Sequence, residues 1–136
     1  RIHTKPVIHR HFMPTRVIIN EQHSLNPAQS RILGERFASF EFVRIPAHGL
    51  TRPQQEALAE KLLADAWPVV FVSPVPLLLA IMAGRCGPNA SARPDAHPAS
   101  MPQLFLFHND VRIKTETADG RISSMLAPEG WELIRL

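Results

Sequence analysis

Residues 16–29 read Arg16-Val17-Ile18-Ile19-Asn20-Glu21-Gln22-His23-Ser24-Leu25-Asn26-Pro27-Ala28-Gln29, and their reading decides the fold. Val17-Ile18-Ile19 is an unbroken β-branched run, the pattern of a strand covered on both faces. It stops at the polar segment from Asn20 to Ser24. Asn26 then supplies a helix cap, Pro27 fits the first helical turn, and Gln29 completes a capping box. That helix is predicted to end near Gly34 or to run to Phe37. A buried strand feeding into a capped helix is the opening unit of an alternating α/β chain.

The unit recurs along the chain. Phe40-Glu41-Phe42-Val43-Arg44-Ile45 alternates and predicts a second strand, closed by Pro46. Thr51 and Gln54 repeat the capping spacing around Pro53, and Leu58, Ala59, Leu62, Leu63 and Ala66 form an apolar helical face. Val69-Val70-Phe71-Val72 predicts a third buried strand. Ser73-Pro74 predicts the start of a third helix, running through Leu77, Leu78, Leu79, Ile81 and Met82 to Gly84. Residues 87–103, rich in Pro, Ala and Ser, read as a long loop. Leu104-Phe105-Leu106-Phe107 predicts a fourth strand. Residues 111–117 and 121–126 read as a hairpin around Asp119-Gly120, and residues 131–136 as a last short strand or a tail.

This order predicts an α/β fold: a single Rossmann-like domain, a mostly parallel sheet with helices on both faces and a C-terminal β-hairpin. Right-handed crossovers put a topological switch point between strands one and three. Residues 1–12 read as a flexible extension ahead of a natural start at Met13, and residues 13–136 as the domain.

A length of 136 residues fits one domain. The hydrophobic fraction of 45% is ordinary, and the charged fraction of 20% is low enough to leave apolar surface for an oligomer. A net charge of +3 and a pI of about 9.8 favour an anionic partner. No basic run marks an arm for duplex nucleic acid. The lone Cys86 forms no internal disulfide and no Cys-rich zinc site, and it fits a reducing cytoplasm. It follows an apolar stretch without a basic cluster and reads as a partly buried small residue, not a nucleophile. The apolar run at 69–84 is interrupted by prolines and is shorter than the roughly 20 residues of a membrane span. No secretory signal is visible.

Open α/β sheets bind ligands beyond the carboxyl ends of their strands, so the strand ends nominate the site. Strand one delivers Asn20, Gln22, His23 and Ser24, strand three delivers Ser73, and strand four delivers His108, Asn109 and Asp110. His23 and His108 are candidates for proton transfer or phosphate contact near neutral pH. Ser73, with Pro74 and Val75, is expected at a helix start where free N–H groups and the dipole suit phosphate, or else as a plain helix cap. Asn20 and Asn109 are candidate base or phosphate contacts, with turn chemistry as the alternative. Arg112 and Lys114 share a strand face that is either solvated or completes an anion site near His108. Trp67 and Trp131 read as packing residues, and Arg85 as the answer to the third helix's negative end. His3, His9 and His11 fall in the extension. No HExxH or histidine–carboxylate set has metal-ligand spacing, so neither a metal nor a cofactor is expected. No GxGxxG and no Walker loop is present, which argues against an ordinary dinucleotide or NTP site.

The segment Asn20-Glu21-Gln22-His23-Ser24-Leu25-Asn26-Pro27-Ala28-Gln29 resembles the strand–His–Ser/Pro–Leu–Thr–Pro–Glu–Gln opening of small CRISPR type III ancillary proteins of the CARF-related ring nuclease group. Val70-Phe71-Val72-Ser73-Pro74-Val75-Pro76-Leu77, with the apolar helix to Gly84-Arg85, is similar to their strand, proline turn and helix. Leu104 to His108 is similar to their next strand. Asn26 departs from the usual Thr, and the loop at 87–103 is long. The resemblance spans roughly residues 16–108. It implies a cytoplasmic homodimer that binds cyclic oligoadenylate, a tetra-adenylate ring above all. It also implies metal-independent cleavage by attack of a ribose 2′-hydroxyl on the adjacent phosphate. His23, Ser73 and His108 would be catalytic; Asn20, Gln22, Ser24, Pro74, Val75, Asn109 and Arg112 would bind ligand. The alternatives are a non-catalytic sponge for the same messenger and an unrelated Rossmann-like nucleotide enzyme.

Overall fold

The computed structural model describes residues 14–86 and 101–136. The extension at 1–12, its three histidines and most of the loop at 87–103 lie outside the described residues. The elements run β1 (Thr15–Asn20), α1 (Pro27–Arg36), β2 (Phe40–Ile45), α2 (Arg52–Asp65), β3 (Val69–Phe71), α3 (Pro76–Cys86), β4 (Leu104–Asn109), β5 (Arg112–Glu116), β6 (Ile122–Leu126) and β7 (Trp131–Arg135).

The main sheet has the order β2-β1-β3-β4-β7. Its first four strands are mutually parallel, and β7 runs antiparallel beside β4. The chain therefore moves one way from β1 to reach β2 and the other way to reach β3. This is the doubly wound, Rossmann-like arrangement, with its switch point between β1 and β3. The predicted hairpin forms as β5 and β6, a separate two-stranded sheet, and residues 131–135 form an edge strand, not a tail.

Reversal of direction sends α1 to one face and α2 with α3 to the other, as right-handed crossovers require. Strand residues alternate accordingly. Val17, Val70, Phe105 and Phe107 pack with Leu33 of α1, while Ile18, Val69, Phe71 and Leu104 pack with Leu62 of α2 and with Leu78 and Met82 of α3. Each fully buried Phe, Leu or Ile stabilises the fold by about 1.5–3 kcal/mol. At the amino ends of the strands, Arg16 is 9% exposed, paired with Glu41 and Asp65 and stacked over Trp67 at 4.4 Å. Trp131 packs edge-on to Phe107. Both tryptophans thus serve packing.

Both capping boxes form. Asn26 accepts from the Gln29 N–H and Thr51 from the Gln54 N–H, with the glutamine side chains reaching back. The third helix departs from expectation by starting at Pro76, not at Ser73-Pro74. Two causes act together. The N–H groups of Val72 and Ser73 both bond the Ile18 carbonyl, which ties Ser73 to β1. Val75 precedes a proline, and that disfavours helical backbone there. Arg85 in the last turn of α3 lies 3.5 Å from Glu60 of α2. No helix among the described residues is long and apolar enough to cross a membrane.

Candidate functional site

The four parallel strands end at one rim, and its centre is the switch point. Ser73 is 8% exposed there. Its Oγ accepts the Asn20 backbone N–H at 2.9 Å and lies 3.4 Å from Nδ1 of His23. The Asn20 side chain shapes the approach: its Oδ1 accepts the Gln22 N–H at 2.8 Å, while its carbonyl accepts the His23 N–H at 2.9 Å. These two bonds wind residues 20–23 into a tight turn that brings His23 back to the neighbouring strand's serine. Glu21 fixes the other side by accepting the Ala47 N–H.

A hydroxyl has two lone pairs and one proton. When His23 carries its proton on Nδ1, the Asn20 and His23 N–H groups fill both lone pairs of Ser73. The serine O–H is then free to donate to a ligand. His23 is exposed, and the lone pair on its Nε2, across the ring, is available to take a proton. Sequence alone could not supply this linkage, because 50 residues separate the two side chains.

Beside this triad lies a cleft of about 230 Å³, where Asn20, Ser73 and Gln55 stand among Ile45, Leu50 and Val75. Pro74 and Val75 form part of its wall. Gln55 spans it: its Nε2 donates to the Leu50 carbonyl at 3.0 Å, and its Oε1 accepts the Leu78 N–H at 2.9 Å. The expected phosphate cradle at the helix start is therefore depleted. Pro74 and Pro76 carry no N–H, and Gln55 takes the N–H of Leu78. Ser73 is not the helix cap either, since its hydroxyl belongs to the Asn20–His23 linkage.

The residues expected on strand four form a second group. His108 Nε2 lies 2.6 Å from Asp110 Oδ1, and both side chains are exposed. Arg112 donates to the Asn109 carbonyl at 3.1 Å. Asn109 itself is 5% exposed and is occupied three times, donating to the Ala127 and Glu129 carbonyls and accepting the Val111 N–H. This favours turn chemistry over ligand contact: both Nδ2 protons are used within the chain, and the side chain is buried where it brackets the hairpin. Lys114 is on the solvated hairpin. Gln22 and Ser24 are exposed on the turn between β1 and α1. The candidates thus divide into a switch-point group of Asn20, Gln22, His23, Ser24, Ser73, Pro74 and Val75, and a β4 group of His108, Asp110 and Arg112. No hydrogen bond or ion pair among the described residues joins the groups, although β3 and β4 are neighbours. Among the described residues, no three His, Cys, Asp or Glu side chains gather as metal ligands.

Gln55 was not nominated by sequence. It sits one residue beyond the capping Gln54 and reaches the rim only because α2 packs beside α3. Comparison with known proteins adds no relative: no family model, no curated protein and no solved structure matches the chain.

Proposed function

We propose that this protein binds a cyclic oligoadenylate, a tetra-adenylate ring above all, at the carboxyl ends of its parallel strands and cleaves it as a ring nuclease. The observation that supports this most is the Asn20–Ser73–His23 linkage at the switch point, where doubly wound folds take nucleotides. A net charge of +3 suits a ligand carrying several phosphates.

In the proposed reaction His23 Nε2 accepts the proton of a ribose 2′-hydroxyl. The 2′-oxygen then attacks the adjacent phosphorus in line, the bond from phosphorus to the 5′-oxygen breaks, and a 2′,3′-cyclic phosphate remains. The leaving 5′-oxygen takes a proton from solvent at the open rim. Ser73 orients His23 and donates its O–H to a phosphoryl oxygen. Holding the 2′-oxygen in line supplies much of the acceleration. A homodimer would bring two such rims to one ring.

The test is incubation of the protein with cyclic tri-, tetra- and hexa-adenylate in EDTA, with products separated by chromatography. Linear products ending in a 2′,3′-cyclic phosphate are expected at catalytic protein levels. His23→Ala should reduce turnover about 100-fold or more, the usual contribution of a proton-transfer group. Intact ring co-eluting with the protein would replace the nuclease by a sequestering binder. No interaction with any ring would remove the whole reading.

A further inference from the structure

We infer that α3 and the strip of sheet beside it form the interface with a second copy of this chain, packed about a two-fold axis that runs along the strands. The inference takes up the homodimer of the proposed function and rests on that part of it, but the surface follows from packing alone.

A helix that covers a sheet normally turns a polar face to water. On α1 that face carries Arg31, Glu35 and Arg36, and on α2 it carries Arg52, Glu56, Glu60 and Lys61. The exposed residues of α3 are Pro76, Leu77, Ala80 and Gly84, none of them charged or able to hydrogen-bond through its side chain. The one charged residue of α3, Arg85, turns to Glu60 of α2. Leu77, Ala80 and Gly84 succeed one another at steps of three and four residues, so they line one seam. The seam is open, since a Cβ added at Gly84 would meet nothing within 4 Å.

Beside this ridge the sheet is bare. Helix α3 links β3 to β4, and β7 lies beyond β4. Residues directly opposite on antiparallel strands share a face. Leu106 packs against the cluster that holds Leu78 and Met82 of α3, and it stands opposite Ile134. Ile134 therefore lies on the α3 side, as do Glu132 opposite His108 and Leu136 next to Leu104. No helix among the described residues covers them there, and Ile134 is 38% and Leu136 41% exposed. On the other face, Trp131 and Leu133 pack with Leu33 of α1. One face of the molecule thus presents an apolar ridge, α3, alongside an apolar shelf on β7.

Ridge and shelf select both the occupant and the symmetry. The ridge of a second copy fills the shelf of the first, and the second shelf receives the first ridge. Only a two-fold axis parallel to the strands does this (an axis across them sets ridge on ridge). The two α3 helices then run parallel at about 8–10 Å, a spacing that small Ala80 and Gly84 permit. Charge agrees with this placement. The amino end of the second copy's α3, the positive end of its dipole, comes to the rim end of the shelf, where Glu132 is exposed. Both rims open at the same end, as one ring held by two copies requires.

The experiment is intermolecular cross-linking of the full chain carrying Cys86→Ser. Leu77→Cys and Gly84→Cys are oxidised separately and as a mixture, and linked dimers are identified by mass. Parallel helices set each position against its own copy, so each variant is expected to link alone. Linkage in the mixture only would mean antiparallel helices and would overturn the assignment. In light scattering, Ala80→Glu and Ile134→Lys should each raise the dimer dissociation constant about 30-fold or more, as loss of a central contact does. Their unfolding midpoints should stay near native, because both positions are exposed. Phe42→Lys, on the opposite edge strand, should leave the dimer intact. A dimer that survives both substitutions overturns the interface. Cyclic tetra-adenylate separates the two hypotheses. If the wild-type chain is a monomer and still binds the ring, the interface falls and ring binding stands. If both cross-links form but no ring binds, the interface stands and the ring reading falls.

Discussion

Asn109 donates from Nδ2 to the carbonyls of Ala127 and Glu129 and accepts the Val111 N–H at Oδ1. Gly130 completes this bracket with a φ of +94°, a conformation that side chains oppose, and a Cβ there would lie 2.8 Å from Val111 Cγ2 and 2.9 Å from Asn109 Oδ1. Asn109→Ala should destabilise the fold by about 2–3 kcal/mol in urea unfolding, because it strands buried polar groups. Gly130→Ala should cost about 1–3 kcal/mol through backbone strain and the clash. A loss under about 0.5 kcal/mol for either would show that the bracket carries no stability. Cys86 behaves differently. Burial pushes its thiol above the usual value, and the neighbouring Arg85 only partly opposes this. The folded chain then holds the thiol proton more tightly than the unfolded chain. Above the unfolded thiol's pKa, stability should fall as pH rises toward the folded value. Alkylation by iodoacetamide should reach half its limiting rate at a higher pH than for a free thiol, and an earlier midpoint would contradict burial.

At the scale of elements, α1 and α2 cap themselves while α3 does not. Asn26→Ala removes an acceptor and one half of a capping box, and should lower the unfolding free energy by about 1 kcal/mol in chemical denaturation. An unchanged midpoint would mean that packing alone fixes the start of α1. Helix α3 opens on Val75, whose side chain cannot accept a bond, and Gln55 of another helix serves Leu78 instead. The capping boxes at Asn26–Gln29 and Thr51–Gln54 are local, so the pattern revealed both helix starts. The start of α3 lies three residues beyond Ser73, and no local pattern shows this, because the carbonyl that holds Ser73 belongs to Ile18, on a strand 55 residues earlier.

Across the whole molecule, apolar side chains remain on both edges and on the hairpin: Phe42 on β2, Ile134 on β7, and Ile122 on β6 at 72% exposure. The proposed homodimer would cover part of this surface. Size-exclusion chromatography with light scattering should give a mass about twice the chain's 15.2 kDa. A monomer at micromolar concentration would remove the dimer from the proposal. The sequence by itself determined the alternation of strands and helices, the caps of α1 and α2, the parallel sheet and the rim where polar residues gather. All of these follow from patterns within one or two turns or strand lengths. Tertiary structure alone decided that His23 meets Ser73, that Asn109 is consumed by the hairpin, and that Gln55 lines the cleft. Those pairings depend on which strands become neighbours and which helices share a face, and no short-range spacing encodes that choice.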